Sequence, residues 1–434
     1  MNESVKRLQK IFAENQKGIR SGIYSICSAH PMVLKASMLQ AKTEDSLLLI
    51  ESTSNQVDQF GGYTGMNPKD FAAFVHTLAE QTGFPSESLI LGGDHLGPNT
   101  WQDLTAEKAM KQACNLVAAY IKAGYKKIHL DASMFCADDA GDRSKPLDDT
   151  VVAKRAAELC RTAEEAWRSC RSGEAAPLYI IGTEVPIPGG AREEEEGVTP
   201  TSPEHASKTI EITKSAFFDR GLEEAWNRVV GLVVQPGVEF GDDQVFHYNS
   251  AAASSLSGLI KQHDNLVYEA HSTDYQSETD LSNLVKDHFC ILKVGPWLTF
   301  AYREALFALE AMERELLGNT HSCLREKLDS VMLKQPKHWE KYYHGTEEQQ
   351  RFKRKYSFSD RSRYYWSDKE LVKAVNTLMK NLSREPVPLS LLSQFMPRQF
   401  DAVQEGLISR SPEDLIIFGI REVLKIYSRA CGLS

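Results

Sequence analysis

The sequence is short of several things that would set its function class. No apolar run approaches the roughly 20 residues that a bilayer-spanning helix needs, and Met1 to Lys17 is polar and mixed in charge, without the apolar core of a secretion signal. The eight cysteines are scattered, with no C-x-x-C pair, which reads as reduced thiols in a cytoplasmic protein. Cys27, Cys136 and Cys290 lie in or beside apolar runs and are expected in the core. There is no basic excess: 50 Lys and Arg stand against 59 Asp and Glu, a net charge of -9, which argues against a nucleic-acid partner. No Walker sequence is present and no G-x-G-x-x-G follows a strand, so no nucleotide cofactor is expected. What remains, with 42% hydrophobic and 25% charged residues over 434 positions, is ordinary globular composition on a chain longer than one typical domain.

Eight strand-like runs rich in Ile, Val and Leu alternate with helical patterns: 22–28, 46–52, 88–93, 127–132, 178–184, 229–235, 265–271 and 289–294. Most lack polar alternation, as strands covered on both faces should. Eight βα units in about 300 residues predict an α/β TIM (βα)8 barrel; a doubly wound open sheet would normally use fewer strands. After Leu317 the strands stop. The expected organisation is a barrel over 1–317 and a C-terminal helical extension over 318–434, packed on the barrel or on a partner. The acidic run Glu193–Glu196 reads as a solvated loop.

In such a fold the chemistry collects at the carboxyl ends of the strands. The stretch Gly92-Gly93-Asp94-His95-Leu96-Gly97-Pro98-Asn99 places an Asp-His pair at one such end. Aspartate can act as a general base, and imidazole can ligate a metal or shuttle protons. Alone, the pair reads more readily as a turn cap beside a packed histidine. The other strand ends add Glu51 and Asn55, His129 and Asp131, Glu184, Gln235 and Glu239, then Glu269, His271 and Asp274, and finally Lys293. Facing acids and histidines are costly to bury unless paired or metal-bound. The expected assignment is Asp94 as acid/base and a divalent metal such as zinc on His95 and His271, helped by Glu184 or Glu239. Asn55, Gln235, Glu269, Asp274 and Lys293 are expected to bind substrate; a metal-free polar network holding a sugar is the alternative.

The stretches 55–66, 92–99, 181–186, 234–240, 269–276 and 359–366 resemble the GatZ/KbaZ family, and the likeness covers nearly the whole chain. The resemblance implies a Z subunit of class II tagatose-1,6-bisphosphate aldolase, acting in galactitol and N-acetylgalactosamine catabolism. Such subunits are regarded as non-catalytic partners that the catalytic Y subunit needs for full activity and stability. The family also looks like a distant relative of the catalytic class II aldolases. Asp94-His95 matches the aldolase Asp-His, and Glu184 with Gly189-Gly190 matches the aldolase glutamate. Pro236 stands where those enzymes have a metal histidine, and Gly295 where they have a substrate-contacting asparagine. Glu269 or, with a short slip, His271 falls at the third metal histidine. The implied function is an auxiliary aldolase subunit. The alternative is a metal-dependent ketose (phosphate) epimerase or aldolase in its own right, using Asp94 and binding a sugar or sugar phosphate.

Overall fold

A computed structural model describes residues 3–170, 175–183 and 198–433. Eight parallel strands close into a barrel in the order β1-β10-β9-β6-β5-β4-β3-β2. They are β1 (Ile23–Ile26), β2 (Leu48–Thr53), β3 (Leu89–Leu96), β4 (Lys127–Leu130), β5 (Leu178–Ile181), β6 (Val229–Val234), β9 (Val267–Ala270) and β10 (Phe289–Val294). The chain is therefore a TIM-type barrel, with a strand in each of the eight runs read from the sequence, β2 and β3 continuing past their runs to Thr53 and Leu96. A small antiparallel hairpin, β7 (Glu239–Phe240) with β8 (Val245–Phe246), follows β6.

The first half of the helical shell is α1 (Glu3–Gln16), α2 (Pro31–Glu44), α3 (Pro68–Thr82), α4 (Ala106–Lys122) and α5 (Asp149–Cys170). It continues with α6 (Pro203–Phe218), α7 (Glu223–Trp226), α8 (Ser250–Ile260), α9 (Glu278–Lys286) and α10 (Pro296–Leu317). Local chemistry sets their ends. Asn67 caps α3 in a capping box with Asp70, Pro68 takes its first turn, and Gly83 closes it in the left-handed conformation. Beyond α10 come α11 (Leu324–Lys334), α12 (Glu347–Tyr356), α13 (Lys369–Leu382), α14 (Leu389–Phe395), α15 (Pro397–Gln404) and α16 (Pro412–Cys431).

Two of these helices decide which end of the barrel is open. Val5, Leu8 and Phe12 of α1 are buried with Ile23, Leu49, Ile90, Val267 and Ile291 from the strands. Fully burying an apolar side chain stabilises by about 1.5–3 kcal/mol, so α1 is a firm apolar plug at the amino end. At the other extreme of the chain, α16 packs against α9, α2 and β1, between the last and first helices of the ring, with α10 against it. The Cys431 carbonyl accepts from Gly22 N–H at 3.0 Å, and Tyr427 donates its hydroxyl to the Thr273 carbonyl at 2.7 Å. Among the described residues, α1 closes the amino end and the polar cavity lies at the carboxyl end.

Candidate functional site

Side chains alternate across a strand, so residues two apart share the inner face of the barrel. Leu49 and Glu51 on β2, Ile90, Gly92 and Asp94 on β3, and Ile291 and Lys293 on β10 climb from an apolar floor into a charged layer. On β4 the series is Lys127, His129, then Asp131 just beyond; on β9 it is Glu269, then His271. Gly92 is required here, because a Cβ at that position would stand 2.7 Å from Glu51 Cγ. Gly97 is required more strongly, since its Cβ would fall 1.5 Å from the Asp131 carbonyl oxygen. The β3–β4 pairing shifts register between Gly93 and Leu96, and His95 within that shift has φ +50°. Ser272, Tyr275 and Asp360 are also left-handed non-glycine residues; such backbone persists where the surroundings enforce it.

The charged layer is fully buried and paired. Lys127 Nζ lies 2.6 Å from Glu51 Oε1 and 2.6 Å from Glu269 Oε2. Lys293 contacts Glu51, stands 3.0 Å from Asp94 Oδ1 and 3.7 Å from Glu269 Oε1. Two ammonium groups thus offset three carboxylates.

Above them is a triangle of imidazoles. The ring centres of His95, His129 and His271 are 5.2, 4.9 and 5.4 Å apart in pairs. Each ring is oriented by an acid: His95 Nδ1 meets Asp131 at 2.8 Å, His129 Nδ1 meets Asp94 at 3.0 Å, and His271 Nε2 meets Glu269 at 3.0 Å.

These contacts divide the titrations. Burial alone would raise Asp94, but His95, Lys293, His129 and His271 outweigh it and hold the carboxyl well below its usual range. Glu269 is held down in the same way, against burial, by Lys127, Lys293 and His271. Burial lowers His271 to about 4, so its ring is neutral at physiological pH. His95 goes the other way: Asp94 and Asp131 overcome burial and raise it. Asp274 is pushed up by burial to about 6, although the backbone N–H groups of Trp297 and Gly295 donate to it. One carboxylate is kept charged and another can carry a proton.

Asp94, His129, Glu269 and His271 each bring a donor atom within 4.8 Å of the others. Mixed imidazole and carboxylate donors of this kind suit a divalent cation. His129 Nε2 is buried and has no partner among the described residues; in the tautomer that gives Nδ1–H to Asp94 that nitrogen offers a lone pair, and in the other Nδ1 accepts from His95 N–H. The residues present therefore fit a metal ion.

Asp94, His95, His271, Asn55, Asp274 and Lys293 line one cavity at the mouth, with Gln56, Tyr63, Arg363 and Tyr364. Glu269 lies beneath, bound to the two lysines and His271. Gln235 turns its Oε1 onto the N–H groups of Gly237 and Val238. Glu239 lies in the hairpin, where its carboxylate accepts from Phe240 N–H. Glu184, Gly189-Gly190 and Glu193–Glu196 lie outside the described residues. Sequence reasoning passed over two contributors, Lys127 and Arg363. Lys127 had a signal, since it sits two residues before His129; Arg363 lies in the stretch 359–366 that carries the family resemblance, but its place at the mouth comes from tertiary packing.

The chain is thus a (βα)8 barrel plugged at one end, with acids, lysines and histidines gathered at the other. The family of D-tagatose-1,6-bisphosphate aldolase subunits of GatZ/KbaZ-like type matches residues 8–432, and the chain belongs to it. Its fold is shared with a crystal structure described as a probable tagatose 6-phosphate kinase from Sinorhizobium meliloti 1021. The two are 44% identical over 94% of this chain and all of that one, with a TM-score of 0.86. The fructuronate-tagaturonate epimerase UxaE of Cohnella laeviribosi is similar in fold, with 12% identity over 95% of this chain and 81% of that one, and a TM-score of 0.50.

Proposed function

We propose that this chain performs its own aldol-type chemistry on a ketose phosphate, of the D-tagatose phosphate class, at the barrel mouth, with Asp94 as acid/base. The observation that carries this reading is the layered network of Glu51, Asp94, Lys127, Glu269 and Lys293 beneath three acid-oriented histidines. Buried ion pairs are weak sources of stability and apolar packing often replaces them without loss. A barrel that only steadies a partner has no use for five buried charged groups at and beneath its mouth, of which Asp94 and Lys293 line the cavity.

The reaction is reversible cleavage of the C3–C4 bond. Asp94 takes the proton of the 4-hydroxyl, the C4–O4 bond becomes a carbonyl, and the C3–C4 electron pair passes into an enediolate across C2 and C3. The Lys293 ammonium, 3.0 Å from Asp94, is placed to stabilise negative charge developing beside it. Re-addition to the opposite face of the aldehyde returns the proton to O4 and inverts C4, which is epimerisation; separation of the halves is aldol cleavage. Asp274 is a further carboxyl on the cavity wall able to hold or release a proton. A divalent ion such as zinc, held by His129, Glu269 and His271 beside Asp94, would supply Lewis-acid polarisation of the ketose carbonyl. The test is turnover of D-tagatose 6-phosphate by the purified chain. Asp94→Asn is expected to lower it at least ~100-fold, the scale of general acid–base contributions, and unchanged turnover in that variant would refute the assignment.

A second reading is favoured by Pro236 and Gly295, which offer no ligand side chain where the related aldolases carry histidine and asparagine. On that reading the chain is the auxiliary partner of a catalytic Y subunit and stabilises it by binding only its folded form. Activation of the Y subunit by the Asp94→Asn chain as fully as by the wild type supports this role, whatever the chain does alone.

A further inference from the structure

The segment Ser359–Trp366 belongs to the helical region after the barrel, yet it forms part of the wall of the barrel mouth. Asp360 anchors it, accepting from Arg303 Nε at 3.0 Å and from the Thr299 hydroxyl at 2.6 Å, both on α10. From that anchor Arg363 and Tyr364 reach the mouth cavity, and Arg363 also borders an adjoining, more apolar cavity of about 450 Å³. Tyr63, from the loop after β2, meets the Tyr364 ring edge-on at 4.9 Å between centres and completes this side.

Arg363 is held in place with no salt bridge among the described residues, although Asp360 and Asp274 lie near enough to feel its charge. One Nη1 is spent on the carbonyls of Ser359 and Asp360, and Nη2 donates to the Tyr364 hydroxyl at 2.9 Å. No carboxylate lies within ion-pair distance of it among the described residues. Its Nε–H and the second Nη2–H remain, on a side chain that lines the cavity. The lysine and arginine side chains lining the mouth are Lys293 and Arg363. Lys293 is committed to Glu51, Asp94 and Glu269. A ligand with a dianionic group therefore finds one guanidinium there that is positioned, bidentate in geometry and not already paired.

We infer that Arg363 is the phosphate hook of this site: it binds the phosphomonoester of a ketohexose phosphate, so that the region after the barrel supplies the determinant separating phosphorylated from free sugars. The inference rests on the reading of the mouth as a ketose-phosphate site and adds the residue that makes it one.

Calorimetric titration of the full-length protein tests it, with D-tagatose 6-phosphate, D-tagatose and inorganic phosphate as probes. Wild type, Arg363→Gln, Arg363→Lys and, as a neighbouring control, Arg361→Gln are compared. Arg363→Gln is expected to weaken D-tagatose 6-phosphate binding about 10–100-fold, the cost of losing a charged hydrogen-bonding partner. Its affinity for D-tagatose is expected to change less than about 2-fold, which also shows that the variant folds. Arg363→Lys should recover part of the loss, because charge returns but the planar fork does not. Equal binding of D-tagatose 6-phosphate by Arg363→Gln and wild type overturns the inference, as does an equal loss in Arg361→Gln. If wild type binds inorganic phosphate through Arg363 but no ketose phosphate, the hook stands and the proposed reaction falls. If wild type binds none of the probes, both fall.

Discussion

Asp274 shows how one residue's surroundings become a measurable property. Its carboxyl is raised from 3.8 to about 6 in the folded chain. Between those values the native protein holds a proton that the unfolded chain has released, so this group makes stability fall as pH rises from about 4 to 6 and then level off. Asp274→Asn keeps an oxygen for the N–H groups of Gly295 and Trp297 and removes the titration. Thermal midpoints across pH 4–8 are expected to coincide for the two proteins below pH 4. They should separate through the window and favour the variant above it, by about 3 kcal/mol at most. The activity profile should also lose an acid limb near 6. At this scale much was legible in the sequence: Glu51, Asp94, His95, His129, Asp131, Glu269, His271 and Lys293 all come from strand ends, and the structure gathers them. The grouping was not legible. His95 and His271 were the expected metal pair, whereas the donor atoms that converge belong to Asp94, His129, Glu269 and His271. Which nitrogen faces which acid depends on side-chain direction and on the register shift at Gly93–Leu96.

Among the elements, β3 carries the most constraint. Gly97→Ala puts a methyl group 1.5 Å from the Asp131 carbonyl oxygen, and backbone cannot yield as a flexible side chain would. The expected cost is roughly 2–4 kcal/mol, in the range of strained or overpacked substitutions, measured as a lowered denaturation midpoint. Loss of the His95–Asp131 contact should accompany it. A variant as stable as the parent would show that the β3–β4 junction is looser than the geometry states. The eight strands were readable because buried parallel strands are short and rich in β-branched residues. The role of α16 was not: α10 and α16 both read as amphipathic helices, and only their packing shows that α16 lies between α9 and α2. The stretch from Tyr356 to Trp366 lies in the extension expected to pack on the barrel or on a partner, and was ambiguous for the same reason. Its charges and aromatics suit a partner surface, but Asp360, Arg363 and Tyr364 are turned onto the barrel.

At the scale of the whole molecule, the proposed chemistry makes the chain a working site within a family of aldolase subunits. If a divalent ion belongs there, elemental analysis of the purified protein should find about one equivalent, and His271→Ala should lose it. Full metal content in that variant would remove His271 from the ligand set. The central claim is tested most directly by following D-tagatose 6-phosphate with the wild-type chain alone, by carbon and proton NMR in D2O. Cleavage and re-addition leave the hydrogen on C4 untouched while its configuration inverts. The C4 epimer, or the two aldol fragments, is expected to grow in without deuterium at C4, and Asp94→Asn is expected to stop it. A wild-type chain that binds the sugar phosphate and leaves it unchanged would contradict the account and leave the auxiliary role standing.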